Sequence, residues 1–192
     1  MRWALAVVVA SIAMYMWGYF YWMASGMPEQ GLLPVVDAAA AGEALAEHFP
    51  EEGVYMVPGH DPTVEGFEEL HTTGPLAMVY LTSDDGAPVM DFGMMYAGFC
   101  HMLLTCIFLS MLLGLTFGAL PTLFYRIRFF IFVGFLCAFY VQAGEAVWWR
   151  SPWSWQLVTG LYDWTALTIG GAVVSMIAPF PSYTRDEKND AS

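Results

Sequence analysis

The residues that could do chemistry in this chain are a few ionisable side chains within apolar segments. Asp163 and His101 each lie about seven or eight residues inside an uncharged stretch, and Glu145 and Arg150 follow the end of another. An isolated aspartate at the centre of a membrane helix costs about 2.5–3.5 kcal/mol, so it needs a polar partner. His101 and Asp163 should lie at equal depth, roughly 10–12 Å below one boundary, and we expect them to pair.

Together with Gln142, the residues His101, Glu145, Arg150 and Asp163 are predicted to form one polar cluster at the outer ends of the helices. A cluster of this kind has two interpretations. It can hold membrane helices together, or it can bind a ligand or carry protons. In both cases Asp163 is expected to face the bundle rather than lipid.

Three histidines are weak candidates for a metal site. His48, His60 and His71 lie in a segment rich in carboxylates, and zinc and copper sites use such ligands. Their spacings of 12 and 11 residues match no compact ligand motif such as HxxxH. Solvated histidines are therefore the default expectation, and no cofactor is predicted.

Four tryptophans crowd one short stretch, at Trp148, Trp149, Trp153 and Trp155. Tryptophan is enriched at membrane–water interfaces, which explains all four as interfacial anchors. The alternative is an aromatic-lined pocket for an aromatic or quinone head group.

Motifs of catalytic sites are missing from the sequence. It has no glycine-rich phosphate loop, GxSxG, HExxH or CxxC, and we predict no catalytic residue. The cysteines Cys100, Cys106 and Cys137 fall in apolar runs and are expected to act as small hydrophobic residues. Gly114 and Gly118 form a GxxxG motif, which predicts close helix packing there.

The composition excludes several classes of protein. Of the 192 residues, 58% are hydrophobic and 12% are charged, and the mean hydropathy is +0.53. A soluble domain carries about 25% charged residues, and a disordered chain is poor in apolar residues, so neither fits. A net charge of −12 does not suit a nucleic-acid binder, which needs a basic surface.

Long apolar runs predict an all-α membrane protein with a four-helix transmembrane bundle. Each run has about 20 residues, enough to cross a hydrocarbon core of about 30 Å as a helix. Backbone amides need internal partners in lipid, and the period-two pattern of a β-barrel is missing. The predicted segments are helices at residues 1–23, 94–118, 129–147 and 155–178, loops at 119–128 and 148–154, and a tail at 179–192.

The basic residues predict the orientation. Only Arg150 lies at one set of helix ends, and the other five bases lie at the opposite set. These five are Arg2, Arg126, Arg128, Arg185 and Lys188. The positive-inside rule therefore places both termini in the cytoplasm. A cleaved signal peptide ending at Ala24-Ser25-Gly26 is the alternative for the first run, whose length and aromatic residues favour an uncleaved anchor.

Residues 24–93 are predicted to form a small α+β insertion outside the membrane. They contain 13 of the 18 acidic residues and no lysine or arginine. The predicted elements are a helix at about 35–49, which Pro34 starts, and strands at about 53–57 and 75–82, joined by a polar connection. The acidity suits solubility or a saline exterior; the specific alternatives are attraction of cations and docking of a basic partner.

Short motifs in order along most of the chain resemble a loose group of small, uncharacterised bacterial inner-membrane proteins. They are Trp17-Gly18 with Trp22-Met23, Gly53-Val54-Tyr55 with Pro58, Gly74-Pro75 with Ala77 and Val79, and Trp148-Trp149 with Pro152. The resemblance implies topology and bacterial origin, and it carries no activity or catalytic residues.

The leading functional hypothesis is an accessory or interaction subunit of a larger membrane assembly, without catalytic activity. Its expected partners are membrane lipid and other subunits, with a basic protein or cations at the acidic outer face and no nucleic acid. The second hypothesis is an ion- or ligand-handling protein that uses the polar cluster. The third is a membrane enzyme that uses the same carboxylates.

Overall fold

The computed structural model describes residues 1–59, 61–83, 86–116 and 118–179. The chain divides into two compact units. One, called here the helical unit, comprises Met1–Leu33 and the chain from Phe92 onward. The other, called the insertion, comprises Pro34–Asp91.

Most of the described chain is helical, with one small sheet. The elements in chain order are α1 (Arg2–Tyr19), α2 (Ala38–His48), β1 (Gly53–Val57), α3 (Phe67–Thr73), β2 (Ala77–Leu81), α4 (Phe92–Leu115), α5 (Leu123–Ala138), α6 (Gly144–Trp148) and α7 (Trp153–Ile177). A π-helical turn at Phe20–Ala24 extends α1, and another at Phe139–Ala143 joins α5 to α6.

Among the described residues, four helical stretches are long and apolar enough to cross a membrane. They are Arg2–Ala24, Phe92–Leu115, Leu123–Trp148 and Trp153–Ile177. Their number agrees with the predicted bundle. The third begins at Leu123 rather than residue 129, because Thr122 caps it: its hydroxyl accepts a hydrogen bond from the Tyr125 amide at 3.5 Å. Arg126 and Arg128 therefore lie in a helix, where the sequence predicts a loop.

The helical unit packs around the pair α1 and α7. Helix α4 packs mainly on α1, and α5 packs on α7. The buried side chains at these contacts include Met14, Cys106, Leu113, Phe130 and Val174. This core is made of close contacts between helices, which is how helices associate in lipid.

Glycines allow the closest approaches of α7. A Cβ atom at Gly170 would overlap Met14 of α1, and one at Gly171 would overlap Phe130 of α5. A Cβ atom at Gly134 of α5 would lie 2.9 Å from the carbonyl oxygen of Trp164. Neighbouring helices therefore occupy the space that side chains at these three positions would need.

The predicted contact at the GxxxG motif is wrong within this chain. In the part of the molecule that the structure describes, nothing lies within 4 Å of a Cβ atom built at Gly114 or Gly118. Helix α4 ends at Leu115, so Gly118 lies outside it. The spacing of two glycines does not specify which face of a helix contacts a neighbour, and for this reason the motif did not predict the contact correctly.

Basic residues join the chain segments at one end of the helical unit. Arg2 Nε donates to the carbonyl oxygen of Ile177 at 3.2 Å, so α1 begins beside the end of α7. Arg126 is fully buried and donates from Nε to Leu120 O at 3.1 Å. Both its terminal nitrogens donate to Pro179 O at 3.2 Å. Arg126 thus ties the turn before α5 to the turn after α7.

Helix α2 of the insertion starts later in the chain than predicted. Asp37 caps α2, and its Oδ1 atom accepts hydrogen bonds from the amides of Ala39 and Ala40 at 3.1 and 3.0 Å. A side-chain cap satisfies amides that the helix itself leaves unpaired. That is why α2 begins at Ala38, and Pro34 lies before it.

The two predicted strands are present and pair in one sheet, and the segment between them contains a helix that the sequence did not predict. Strands β1 and β2 pair antiparallel, with Val54 opposite Tyr80 and Met56 opposite Met78. The connection between them was expected to be polar loop, but it contains α3. Gly66 precedes α3 with φ of 78°, a left-handed conformation that glycine adopts at little cost.

Candidate functional site

A hydrogen-bonded pair of polar side chains lies between the π-helical turn Phe139–Ala143 and α7. Gln142 Nε2 donates to Asp163 Oδ2 at 2.6 Å. Asp163 lies ten residues into α7, roughly 15 Å along the helix. A carboxylate at this depth needs a donor, and the glutamine amide supplies it. Asp163 therefore has a polar partner inside the bundle, as predicted.

Further polar side chains continue this pair toward the start of α7. The hydroxyl of Thr159 lies 3.0 Å from Gln142 Oε1 and 3.4 Å from Gln156 Oε1. Gln156 Nε2 donates to Ser151 Oγ at 2.6 Å. A hydroxyl has one proton, so Thr159 donates to one acceptor at a time. We call Ser151, Gln156, Thr159, Gln142 and Asp163 the polar chain.

Local backbone geometry positions Gln142. It lies in the π-helical turn Phe139–Ala143, and such turns interrupt the regular succession of side chains around a helix. Gly160 of α7 faces it: a Cβ atom there would lie 3.4 Å from Gln142 Cγ. The turn and the glycine together bring the amide next to α7. Single π-helical turns within α-helices are frequent at functional sites.

His101 does not pair with Asp163. It is exposed on α4, and its carbonyl oxygen accepts a hydrogen bond from Thr105 Oγ1 at 2.9 Å. Helix α4 packs through Cys106 and Leu109, which lie roughly 80–140° around the helix from His101. The rotation of α4 about its axis turns this side chain away from these contacts, and depth along the helix does not determine that rotation.

Glu145 and Arg150 also lie outside the polar chain. Glu145 is half-buried, and its carbonyl oxygen accepts from the amides of Trp149 and Ser151. Arg150 is exposed with φ of 55° in the turn before α7. Among the residues that the structure describes, no hydrogen bond joins the Glu145 side chain to Asp163, and no ion pair joins Arg150 to it. The predicted four-residue cluster is thus reduced to Asp163 with Gln142.

Ser151, Gln156 and Thr159 were not among the site residues predicted from the sequence. A usable signal was present: Gln156, Thr159 and Asp163 are separated by three and four residues, the spacing of one helix face. Three polar residues on one face of an apolar helix indicate a polar contact. The partner Ser151 carries no such signal, because it precedes the helix.

The four tryptophans have different surroundings. Trp148, Trp149 and Trp153 are exposed, whereas Trp155 is partly buried with its ring centroid 5.9 Å from that of Trp22. Trp155 thus belongs to the packing of α1 against α7. Interfacial anchoring of the other three stays a prediction.

The metal candidates do not converge in the structure. His48 ends α2, and the His71 ring in α3 lies 5.7 Å from the Phe67 ring. His60 lies outside the described residues. Within the described ranges, no group of three or more histidine, cysteine, aspartate or glutamate side chains is placed to hold a metal ion.

The sheet of the insertion has one covered face and one open face. Tyr55 lies on the covered face, with its ring centroid 4.8 Å from that of Phe49. Val54, Met56, Met78 and Tyr80 lie on the other side and form what we call the open sheet face. Val54 is 64% exposed and Tyr80 60%.

No residue of the insertion is fully buried in the described part of the chain. Its turns are held by local hydrogen bonds. Asp61 accepts from the hydroxyl of Thr63 at 2.6 Å and from its amide at 2.9 Å, and these bonds lower the pKa of Asp61 below its usual value. Hydrogen bonds between neighbours order the surface without providing a core.

Comparison with protein-family models, with curated proteins and with solved structures finds no match for this chain. No function is therefore transferred from a relative. The two features with functional content are the polar chain of the helical unit and the open sheet face of the acidic insertion.

Proposed function

We propose that this protein is an interaction subunit of a bacterial inner-membrane assembly and that its insertion binds a basic partner protein. The observation that carries the proposal is the open sheet face, an apolar surface on a unit whose described residues include none that is fully buried. A segment of roughly 60 residues is marginal as an independent fold, and a partner supplies the missing cover.

The orientation with both termini in the cytoplasm is part of the proposal. It is supported by the five bases that the topology places on one side, and by Arg2, which lies at the end of α7. It also requires that α1 stays in the mature protein. Met14 of α1 supports this, because it belongs to the buried core.

Charge selects the kind of partner. Residues 24–93 hold 13 acidic residues and no lysine or arginine. A partner with basic residues around an apolar contact complements this surface, and a like-charged partner is repelled. The apolar face provides affinity, and the charges provide selection and a fast encounter.

The two strands also offer a way of binding. Each strand of a two-stranded sheet has one outer edge, and within the described residues no further strand pairs with either edge. An extended segment of the partner can add to such an edge through main-chain hydrogen bonds. Its alternate side chains would then lie beside those of the open sheet face and extend it, and a further part of the partner would cover it.

The test is site-specific photo-crosslinking of the full chain in native membranes. A photoreactive residue at Tyr80 should give one discrete adduct with a protein that has a basic external segment. The same residue at Val89, which is fully exposed outside the sheet, is the control and should give little adduct. No adduct at Tyr80 above the level at Val89, or adducts with lipid alone, would refute the proposal.

A matched pair of substitutions separates the open sheet face from overall charge. Val54→Lys and Val89→Lys change the net charge equally, but only the first alters the sheet. We expect Val54→Lys to lower the adduct yield at least about tenfold, while Val89→Lys leaves it within about twofold. Equal losses in both variants would show that only the net charge matters. A yield unaffected by about 1 M salt would contradict the electrostatic selection.

A further inference from the structure

A cavity of about 520 Å³ lies in the helical unit, beside the polar chain. Its volume falls in the range of small-molecule sites, roughly 300–1,000 Å³. The lining residues that matter here are Phe135, Phe139, Gln142, Trp153, Gln156 and Trp164. They come from α5, the π-helical turn Phe139–Ala143 and α7.

Aromatic rings form the walls of this cavity. Phe135 and Phe139 are stacked, with centroids 6.0 Å apart and planes 19° apart. Trp164 meets Phe135 edge to face at 5.7 Å. The Trp164 indole N–H donates to the carbonyl oxygen of Ile131 at 3.0 Å, which fixes its ring. Such walls suit a flat ring or an alkyl chain.

The cavity surface is almost wholly apolar, and two glutamines, Gln142 and Gln156, are among its lining residues. A primary amide has two N–H groups. One N–H of Gln142 is directed to Asp163, and one of Gln156, a residue only 6% exposed, is directed to Ser151. The second N–H of each is not assigned to any acceptor among the described residues, and both residues line the cavity. They can donate to an oxygen of a ligand.

The charge of the site restricts the ligand further. None of the described residues that line the cavity carries a formal charge. Asp163 lies behind Gln142 and holds that amide in place. A charged head group would lose its hydration without gaining a counter-ion, so the site favours a neutral one.

We propose that this cavity binds a neutral, lipid-soluble molecule with a ring and carbonyl oxygens. The ring lies between the aromatic walls, and the oxygens accept hydrogen bonds from Gln142 and Gln156. This site is independent of the partner proposed for the insertion, because every residue in it belongs to the helical unit.

The test is native mass spectrometry of the full chain released from nanodiscs and titrated with a probe. The probe is a trimethyl-decyl-1,4-benzoquinone, whose substituted ring does not alkylate the exposed Cys137. The matched hydrocarbon, a trimethyl-decylbenzene without the two oxygens, is the control ligand. We expect a saturable 1:1 adduct with the quinone and at least about tenfold weaker binding of the hydrocarbon. Equal binding of both, or no saturable adduct, would overturn the proposal.

Two variants locate the adduct. Trp153→Ala removes an aromatic side chain of the cavity and should weaken quinone binding about three- to tenfold. Trp148→Ala removes an exposed tryptophan that does not line the cavity and should leave binding unchanged. Equal effects of the two substitutions would overturn the assignment to this cavity.

Gln156→Leu tests the amide separately. It should weaken binding of the quinone about tenfold and leave binding of the hydrocarbon unchanged, because only the quinone oxygens accept a hydrogen bond from the amide. An equal loss for both ligands would mean that the amide acts through the packing of α7, and this would overturn its role as a donor to the ligand.

Discussion

The helical unit and the insertion bury apolar side chains to very different extents. In the helical unit, glycines let helices touch, and Met14, Leu113 and Phe130 are buried at the contacts. In the insertion, the side chains of Val54 and Tyr80 are also largely apolar, but they are exposed. Lipid can cover the outer surface of a helix bundle, but a sheet in water needs a protein surface. Exposed apolar residues thus have a different meaning in the two units.

Polar residues show the same contrast. The helical unit places Asp163, Gln142 and Arg126 where each has specific donors or acceptors. Most of the described acids of the insertion are exposed, and like charges that water and salt screen repel only weakly. Asp163 of the helical unit therefore contributes to one defined contact, whereas most acids of the insertion, Asp37 and Asp61 excepted, contribute only to its overall negative charge.

The largest effect is expected from filling the closest helix contact. Gly171→Leu places a side chain where Phe130 already lies, and should lower the free energy of unfolding by about 3 kcal/mol or more. Steric trapping in bicelles measures it. Gly114→Leu is the control, because its position is open, and should change stability by less than about 0.5 kcal/mol. Similar losses in both variants would show that α7 does not hold the bundle together.

The buried arginine should have the next largest effect. Arg126→Ala removes donors to two carbonyl oxygens and should cost about 2–3 kcal/mol. Arg128 is exposed on the same helix, and Arg128→Ala should cost less than about 0.5 kcal/mol. The same unfolding measurement compares them. If Arg128→Ala cost as much, the positive charge at this end would matter more than the hydrogen bonds.

The polar pair can be measured by a double-mutant cycle. Gln142→Leu and Asp163→Leu should show a coupling energy of about 0.6–1.7 kcal/mol, the range for hydrogen bonds between membrane helices. The control cycle pairs His101→Leu with Asp163→Leu and should give less than about 0.3 kcal/mol. A larger coupling energy between His101 and Asp163 would support the pair that their equal depth predicts.

The smallest effect is expected in the insertion. Asp37→Ala removes the cap of α2 and should weaken that helix by about 1 kcal/mol, seen as faster amide hydrogen exchange in Ala38–His48. Glu43→Ala alters the same helix without touching the cap and should not speed exchange. The unfolding free energy of the helical unit should be unchanged by both. A change there would show that the two units are coupled energetically.

The sequence by itself determined the features that depend on local composition. Four apolar runs predict four spanning helices, short apolar runs bounded by turn residues predict β1 and β2, and a count of acidic residues reveals the acidic segment. These features follow from the residues of one segment, so no other part of the chain is needed. The spacing of Gln156, Thr159 and Asp163 also places them on one helix face, although Gln156 and Thr159 were not predicted as site residues.

Only the tertiary structure decided which side chains meet. The partner of Asp163 depends on how far α4 and α5 are rotated about their axes, and that rotation brings in Gln142 and leaves His101 outside. Close packing occurs at Gly171 rather than Gly114 for the same reason. Periodicity specifies the faces of each helix, but the choice of which faces touch arises from the simultaneous packing of all four helices.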